Sequence, residues 1–126
     1  MGSGSLIMSA SELVYRCFHA RTNAHILHLS TRSYAAHKAL NEFYDEIVDL
    51  TDAFAEAYQG DYGLIPFTTL KYSFQSEPLA MLDELSEWIG ANRDKVCDED
   101  DTYLQNIIDE IVALIRGTQY KLRFLK

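Results

Sequence analysis

Ser33-Tyr-Ala-Ala-His37-Lys-Ala-Leu40-Asn41-Glu42-Phe43-Tyr44-Asp-Glu-Ile47-Val48-Asp-Leu50-Thr-Asp52-Ala-Phe54-Ala55-Glu56-Ala-Tyr58 is the stretch on which the fold turns. Ala36, Leu40, Phe43, Ile47, Leu50, Phe54 and Tyr58 recur three or four positions apart. Residues at that spacing share one face of an α-helix. The spacing predicts an amphipathic helix from about residue 33 to 58, ended by Gly60.

Three further helices are legible on either side. The first is expected from Ser9 to Leu29, with Ser9 or Ser11 as N-cap and Glu12 closing a capping box from Ser9. Its stripe is Leu13, Val14, Cys17, Phe18, Ala24 and Leu27. The third spans Glu77 to Lys95, with Ser76 as N-cap and Pro78 in the first turn, where proline is tolerated. Leu79, Leu82, Leu85 and Ile89 form its apolar side. The fourth runs from residue 99 to Thr118, opened by the acidic run Asp98-Glu-Asp-Asp101, which suits a helix N-terminus. Leu104, Ile107, Ile108, Ile111, Leu114 and Ile115 face its core. Residues 60–76 break the pattern with Gly60, Gly63 and Pro66 among aromatic and β-branched residues. A compact connection holding a short helix or turn fits them better than a strand without a partner. It is long for a helix–helix link, which points to an ordered crossing of the domain. The expected class is all-α, a four-helix bundle.

Composition narrows the function. The chain of 126 residues is 48% hydrophobic, enough for a single core, with no linker composition. Met1-Gly-Ser-Gly-Ser5, with Leu6 and Ile7, reads as a leader foreign to the fold, leaving residues 8–126 as one domain. A domain so small buries a limited share of its surface, and pairing with a second chain would help it. The formal net charge of −8 speaks against a phosphate-binding face. The only locally basic stretch holds Arg116, Lys121, Arg123 and Lys126, charges that suit a helix C-terminus, so no nucleic-acid partner is expected. Cys17 and Cys97 form no CxxC pair, and no secretion signal precedes them, which fits buried thiols in the cytoplasm. No apolar run approaches the length of a membrane span. The nucleophile elbow GxSxG and the phosphate loops GxGxxG and GxxxxGK[ST] are absent.

The polar residues of the second helix carry the remaining signal. Taking His37 as zero on a helical wheel, Asn41 falls at about 40°, Asp52 at about 60° and Glu56 at about 100°, while the core stripe centres at about 265°. One reading makes them the solvated face of an amphipathic helix. A second starts from Tyr44, Val48 and Ala55, which border the same stripe and suit packing against another subunit. With His25 from the end of the first helix, the stripe offers the imidazole and carboxylate groups that bind transition metals. His37 and Asp52 lie roughly 22 Å apart along the helix. Any metal they share therefore needs a second chain running the other way.

The run from about residue 20 to 58 resembles the Dps-like branch of the ferritin-like superfamily, the mini-ferritins. That family carries a His, a second His twelve positions on, an acidic residue four later, then Asp and Glu four apart. His25, His37, Asp52 and Glu56 match, and Tyr34-Ala-Ala-His37 and Glu42-Phe-Tyr-Asp-Glu46 read like its second-helix signature. One position departs: the acidic ligand is Asn41 here, and an amide oxygen is an uncharged, weaker donor. The resemblance implies a ferritin-like bundle with a short helix in the connection between helices two and three. It implies a homodimer or higher homo-oligomer with a metal site across the two-fold axis. His25, His37 and Asn41, or Glu42, would come from one chain, and Asp52 and Glu56 from the other. Iron, including a di-iron centre, is the expected metal, with other divalent ions as alternatives, and Fe(II) oxidation the expected chemistry. His28 and His19 are candidate accessory ligands. The rival expectation is a bundle that kept the fold, lost the chemistry and acts through protein–protein contacts.

Overall fold

The computed structural model describes the backbone of residues 2–126 and the side chains of residues 8–126. The leader expectation falls largely outside these limits, since Met1 and the side chains of residues 2–7 are not described. Four helices make up the regular structure of the described residues, with no strand: α1 (Gly2–Ser30), α2 (Tyr34–Tyr62), α3 (Pro78–Val96) and α4 (Thr102–Phe124). None is long and apolar enough to cross a membrane.

Their boundaries follow from capping chemistry, partly at residues other than those expected. Ser33 caps α2, its Oγ accepting from the Ala36 amide at 3.2 Å. Gly60 does not end that helix. The stop is Gly63, which takes the positive φ of 93° that glycine tolerates best, while its N–H donates to the Gln59 carbonyl. The Gln59 side chain accepts from the Ile65 amide at 3.0 Å and turns the chain out of the helix. Glu77, not Ser76, is the N-cap of α3, because Pro78 fills its first turn. Ser9 and Ser11 cap nothing, since α1 begins upstream of both.

The helices share one core. In α4, Leu104, Ile108, Ile111 and Ile115 are fully buried, alternating four and three positions apart as in a coiled-coil seam. In α2 the buried positions are Leu40, Phe43, Tyr44, Ile47, Thr51, Phe54 and Tyr58, with Ala39 beside them. Thr51 holds the place expected for Leu50, which sits half-buried at the rim. A threonine is tolerated there because its hydroxyl donates to the Ile47 carbonyl at 2.6 Å. In α1, Ala10, Cys17, Ala20 and Ala24 are small and buried, which lets neighbouring helices approach closely. Phe18, expected in the core, is instead partly exposed.

Contacts fix the arrangement. α1 packs on α2 and α3, and α4 packs on the same two, while among the described residues the backbone Cα atoms of α1 and α4, and of α2 and α3, do not come within 8 Å of each other. Glu42 near the start of α2 pairs with Lys121 near the end of α4, and Asp61 and Tyr62 at the end of α2 meet Tyr103 and Asp101 at the start of α4. These two helices are therefore antiparallel. Arg93 reaches Gln105 and Asp109, and Gln119 reaches Asp83, so α3 and α4 are antiparallel as well. Residues 63–77, which hold no helical turn, run along α1 in its own direction. Phe67 meets Tyr15, Tyr72 meets His19 and Gln75 meets Asn23. α3 then returns antiparallel to α1, bringing Trp88 under Arg16. The order is up, down, down, up, with the extended strap carrying the chain between two helices on a diagonal.

Asn23 pins that strap. Its Nδ2 donates to the Gln75 carbonyl at 2.9 Å and its Oδ1 accepts from the Gln75 amide at 2.7 Å, at a site only 2% exposed. Asn23→Ala should cost about 1–3 kcal/mol, because both Gln75 backbone groups lose their partner. Hydrogen exchange should show faster exchange at the Gln75 amide and across residues 64–76, with the α4 amides unchanged. Unaltered exchange at Gln75 would contradict this role.

Candidate histidine cluster at the hairpin of α1 and α2

The last turn of α1 and the first of α2 face each other across the short connection at residues 31–33, so side chains at similar distances from the turn meet. His28 and His37 meet in this way. Their rings stack with centroids 3.6 Å apart and planes 20° from parallel. His28 Nδ1 donates to the His37 carbonyl at 2.7 Å, and His37 Nδ1 donates to the His28 carbonyl at 2.9 Å. A carbonyl oxygen can only accept, so each Nδ1 carries a proton. In the neutral rings the lone pair is then on Nε2. Fixing the tautomer through Nδ1–H to a carbonyl is the usual support of a metal-binding or proton-accepting imidazole.

His25 belongs to the same cluster but faces Tyr44. Their rings stack at 4.2 Å and 18°, and His28 meets the same tyrosine edge-on at 5.3 Å. The Arg21 guanidinium lies over the Tyr44 ring at 5.6 Å. Tyr34 closes the outer side, stacked on His37 with centroids 6.2 Å apart. Three imidazoles thus stand at one end of the domain, His28 buried and the other two half-buried.

The oxygen ligands expected to join them do not gather within one chain. Asn41 is half-buried, with its amide donating to Asp45 Oδ2 at 2.9 Å. Glu42 turns away to Lys121 at 3.0 Å. Asp52 and Glu56 are exposed farther along α2, without a hydrogen bond or ion pair among the described residues. Among the described residues no group of three or more His, Cys, Asp or Glu side chains is placed to hold a metal ion. The donor set therefore fits a metal only if a second chain supplies oxygens.

His19 leaves the cluster entirely. It sits against Tyr15 and Tyr72, and burial, helped by the nearby Arg16 charge, holds its protonation below the usual histidine range. His28, expected only as an accessory to His25, is the residue that the fold stacks on His37. It and His37 flank the hairpin turn at similar distances, a symmetry visible in the sequence once the turn is placed at 31–33.

The chain is 27% identical over 115 residues, 90% of its length and 87% of its relative's, to a protein of Enterobacteria phage T4 described as an uncharacterized 14.6 kDa protein in the mobD-ri intergenic region. No solved structure matches. A family model covers residues 28–122, a span that includes His28, His37, Asn41, Asp52 and Glu56 and leaves His25 outside. With three quarters of its length inside that match, the chain belongs to DUF5856, a family of unknown function.

Proposed function

We propose that this chain is a ferritin-like, Dps-like protein that takes up a divalent transition metal, iron first, at a site completed by a second copy. The observation that carries the reading is the histidine clasp, in which His28 and His37 each commit Nδ1–H to a carbonyl and keep Nε2 for a ligand. Two features add support. The up-down-down-up order with one long crossing connection is the connectivity of ferritin-like bundles. Asp52 and Glu56 are uncommitted carboxylates on the same open side of α2 as Asn41. They lie roughly 22 and 28 Å along the helix from His37, so an antiparallel two-fold partner is the arrangement that could bring them to it.

In that assembly His37, with His25 or His28, would supply neutral nitrogen donors, and Asp52 and Glu56 of the other copy would supply negative oxygens. Iron bound there would be the substrate, with dioxygen or peroxide as oxidant. The chain's own residues hold the imidazole tautomers and leave the oxygen side to the partner.

The test is Co(II) and anaerobic Fe(II) titration of the purified protein, read by absorption and metal content, together with its mass in solution. His37→Ala and Glu56→Ala should each abolish tight binding without unfolding the chain, since neither residue belongs to the core. Mixing the two variants under exchanging conditions should restore about one quarter of the sites, as expected for random two-fold pairing. Wild-type protein without metal affinity, or a mixture without recovery, defeats the reading. Asn41→Asp should then also leave binding unchanged.

A second reading keeps the bundle without the chemistry. Ile26, Leu29 and Tyr34 are exposed around the same hairpin, and the Asn41 amide is committed to Asp45. These features favour a docking role for this end of the domain. A stable self-association that survives His37→Ala, in a protein with no metal affinity, is the outcome that supports it.

A further inference from the structure

A cavity of about 370 Å³ opens between α1, the strap and α3, on a different face of α1 from the histidine cluster. Its volume lies within the range of about 300–1,000 Å³ common for small-molecule sites. The strap that walls it is fixed by the Asn23 clamp on Gln75.

The polar groups of this cavity divide by whether they are already engaged. Its one carboxylate, Glu84, accepts from Gln75 Nε2 at 2.9 Å, and Gln75 Oε1 accepts from the Glu77 amide at 3.0 Å. Both polar atoms of the Asn23 amide are committed to the strap. Arg16 is held by Glu12 at 2.8 Å through Nε and Nη2 and lies over Trp88 at 5.0 Å, which keeps the guanidinium in place and leaves Nη1 free. The Lys71 ammonium makes no ion pair or hydrogen bond among the described residues. Of the charged groups in the lining, Glu84 keeps one oxygen unengaged, while Arg16 Nη1 and the Lys71 ammonium are the cationic donors without a partner among the described residues. Phe74, Met81 and Leu85 line the apolar part.

We propose that this cavity binds a small aromatic acid, with its anionic group at Arg16 and Lys71 and its ring against Phe74 and Met81. The locked guanidinium supplies a pre-set donor, which reduces the ordering cost of binding. Lys71 adds the second charge from the strap. His19, whose ring meets Tyr72 edge-on at 5.3 Å, stands at the same wall and reports on the charge brought in. A bound anion favours the imidazolium and shifts its titration upward.

The probes are benzoate and phenyl phosphate at millimolar concentrations, with benzyl alcohol and benzylamine as the neutral and cationic counterparts. Binding is followed by NMR at the backbone amides of residues 70–75 and at the His19 ring. Benzoate, phenyl phosphate or both should shift these signals, and His19 should titrate higher by about half a unit or more. Which anion binds tighter distinguishes a carboxylate site from a phosphate site. Lys71→Gln, a change at an exposed residue, should weaken binding by about fivefold, the size of one partly exposed ion pair. The proposal is overturned if benzyl alcohol or benzylamine binds as well as the acids, if Lys71→Gln binds them unchanged, or if no signal near the cavity moves.

Discussion

Phe43→Ala is expected to lower the free energy of unfolding by about 3–5 kcal/mol, the largest effect of any single truncation considered. Phe43 is fully buried on α2 in the one shared core. Removing its ring takes away apolar contact and leaves a void that close-packed neighbours fill only in part. Domains of this size are stable by about 5–15 kcal/mol, so the loss consumes a large share of the total. Urea unfolding should show a lower midpoint with an unchanged slope, because the same surface is exposed on unfolding. Phe43→Leu, which keeps most of the volume, should cost markedly less. Leu29→Ala, at a site 72% exposed, should stay within about 0.5 kcal/mol in the isolated chain. A larger, concentration-dependent loss at Leu29 would mean that a second copy covers the hairpin. A loss below about 1 kcal/mol for Phe43→Ala would contradict the core assignment of α2.

Native Cys17 and Cys97 should resist alkylation at pH 8 by at least about a thousandfold relative to the urea-unfolded chain, since reagent reaches them only through opening of the fold. Both thiols are fully buried. Burial pushes Cys17 up to about 12, opposed in part by a hydrogen bond with Thr51. Cys97 is pushed up to about 12 by burial first and then by the charge of Asp101. The ordinary thiol value is 9.0, so between that and about 12 the folded chain holds protons that the unfolded chain has released. Stability is therefore unaffected by these groups below pH 9 and falls as pH rises through that window. Tyr62 and Tyr103 act with the same sign, because each phenol donates to a carboxylate, Asp101 and Asp61, and is held protonated by it. Urea midpoints measured from pH 8 to pH 11 should drop, and Cys17→Ala should reduce the drop. A flat profile, or native labelling at the unfolded rate, would show that the thiols are not enclosed.

The four helices were legible because each writes its buried face as a local period. Leu40, Phe43, Ile47, Phe54 and Tyr58 mark α2, and Leu104, Ile108, Ile111 and Ile115 mark α4. Pro78 marked the first turn of α3 for an equally local reason, its fixed φ. Gly60 misled because a glycine inside a helix costs only about 1 kcal/mol, which the packing of Tyr58 on one side and the Tyr62–Asp101 bond beyond it outweigh. Thr51 was missed because its suitability for the core depends on a hydroxyl bond to its own helix rather than on hydropathy.

Side-chain pairing was less legible than helix position. The spacing of His25 and His37 suggested that the two act together, yet His37 clasps His28, while His25 stacks on Tyr44. Periodicity says which residues share a face of one helix. It does not say which helix lies opposite or at what height. The sequence by itself therefore determined an all-α chain, the approximate limits of four helices, the apolar side of each and the acidic character of the surface. The tertiary structure decided the diagonal placement of α2 and α3, the course of the strap along α1, the histidine clasp and the cavity walled by Arg16, Lys71 and Glu84. Those features join residues far apart in the chain, and their geometry exists only once the helices have packed.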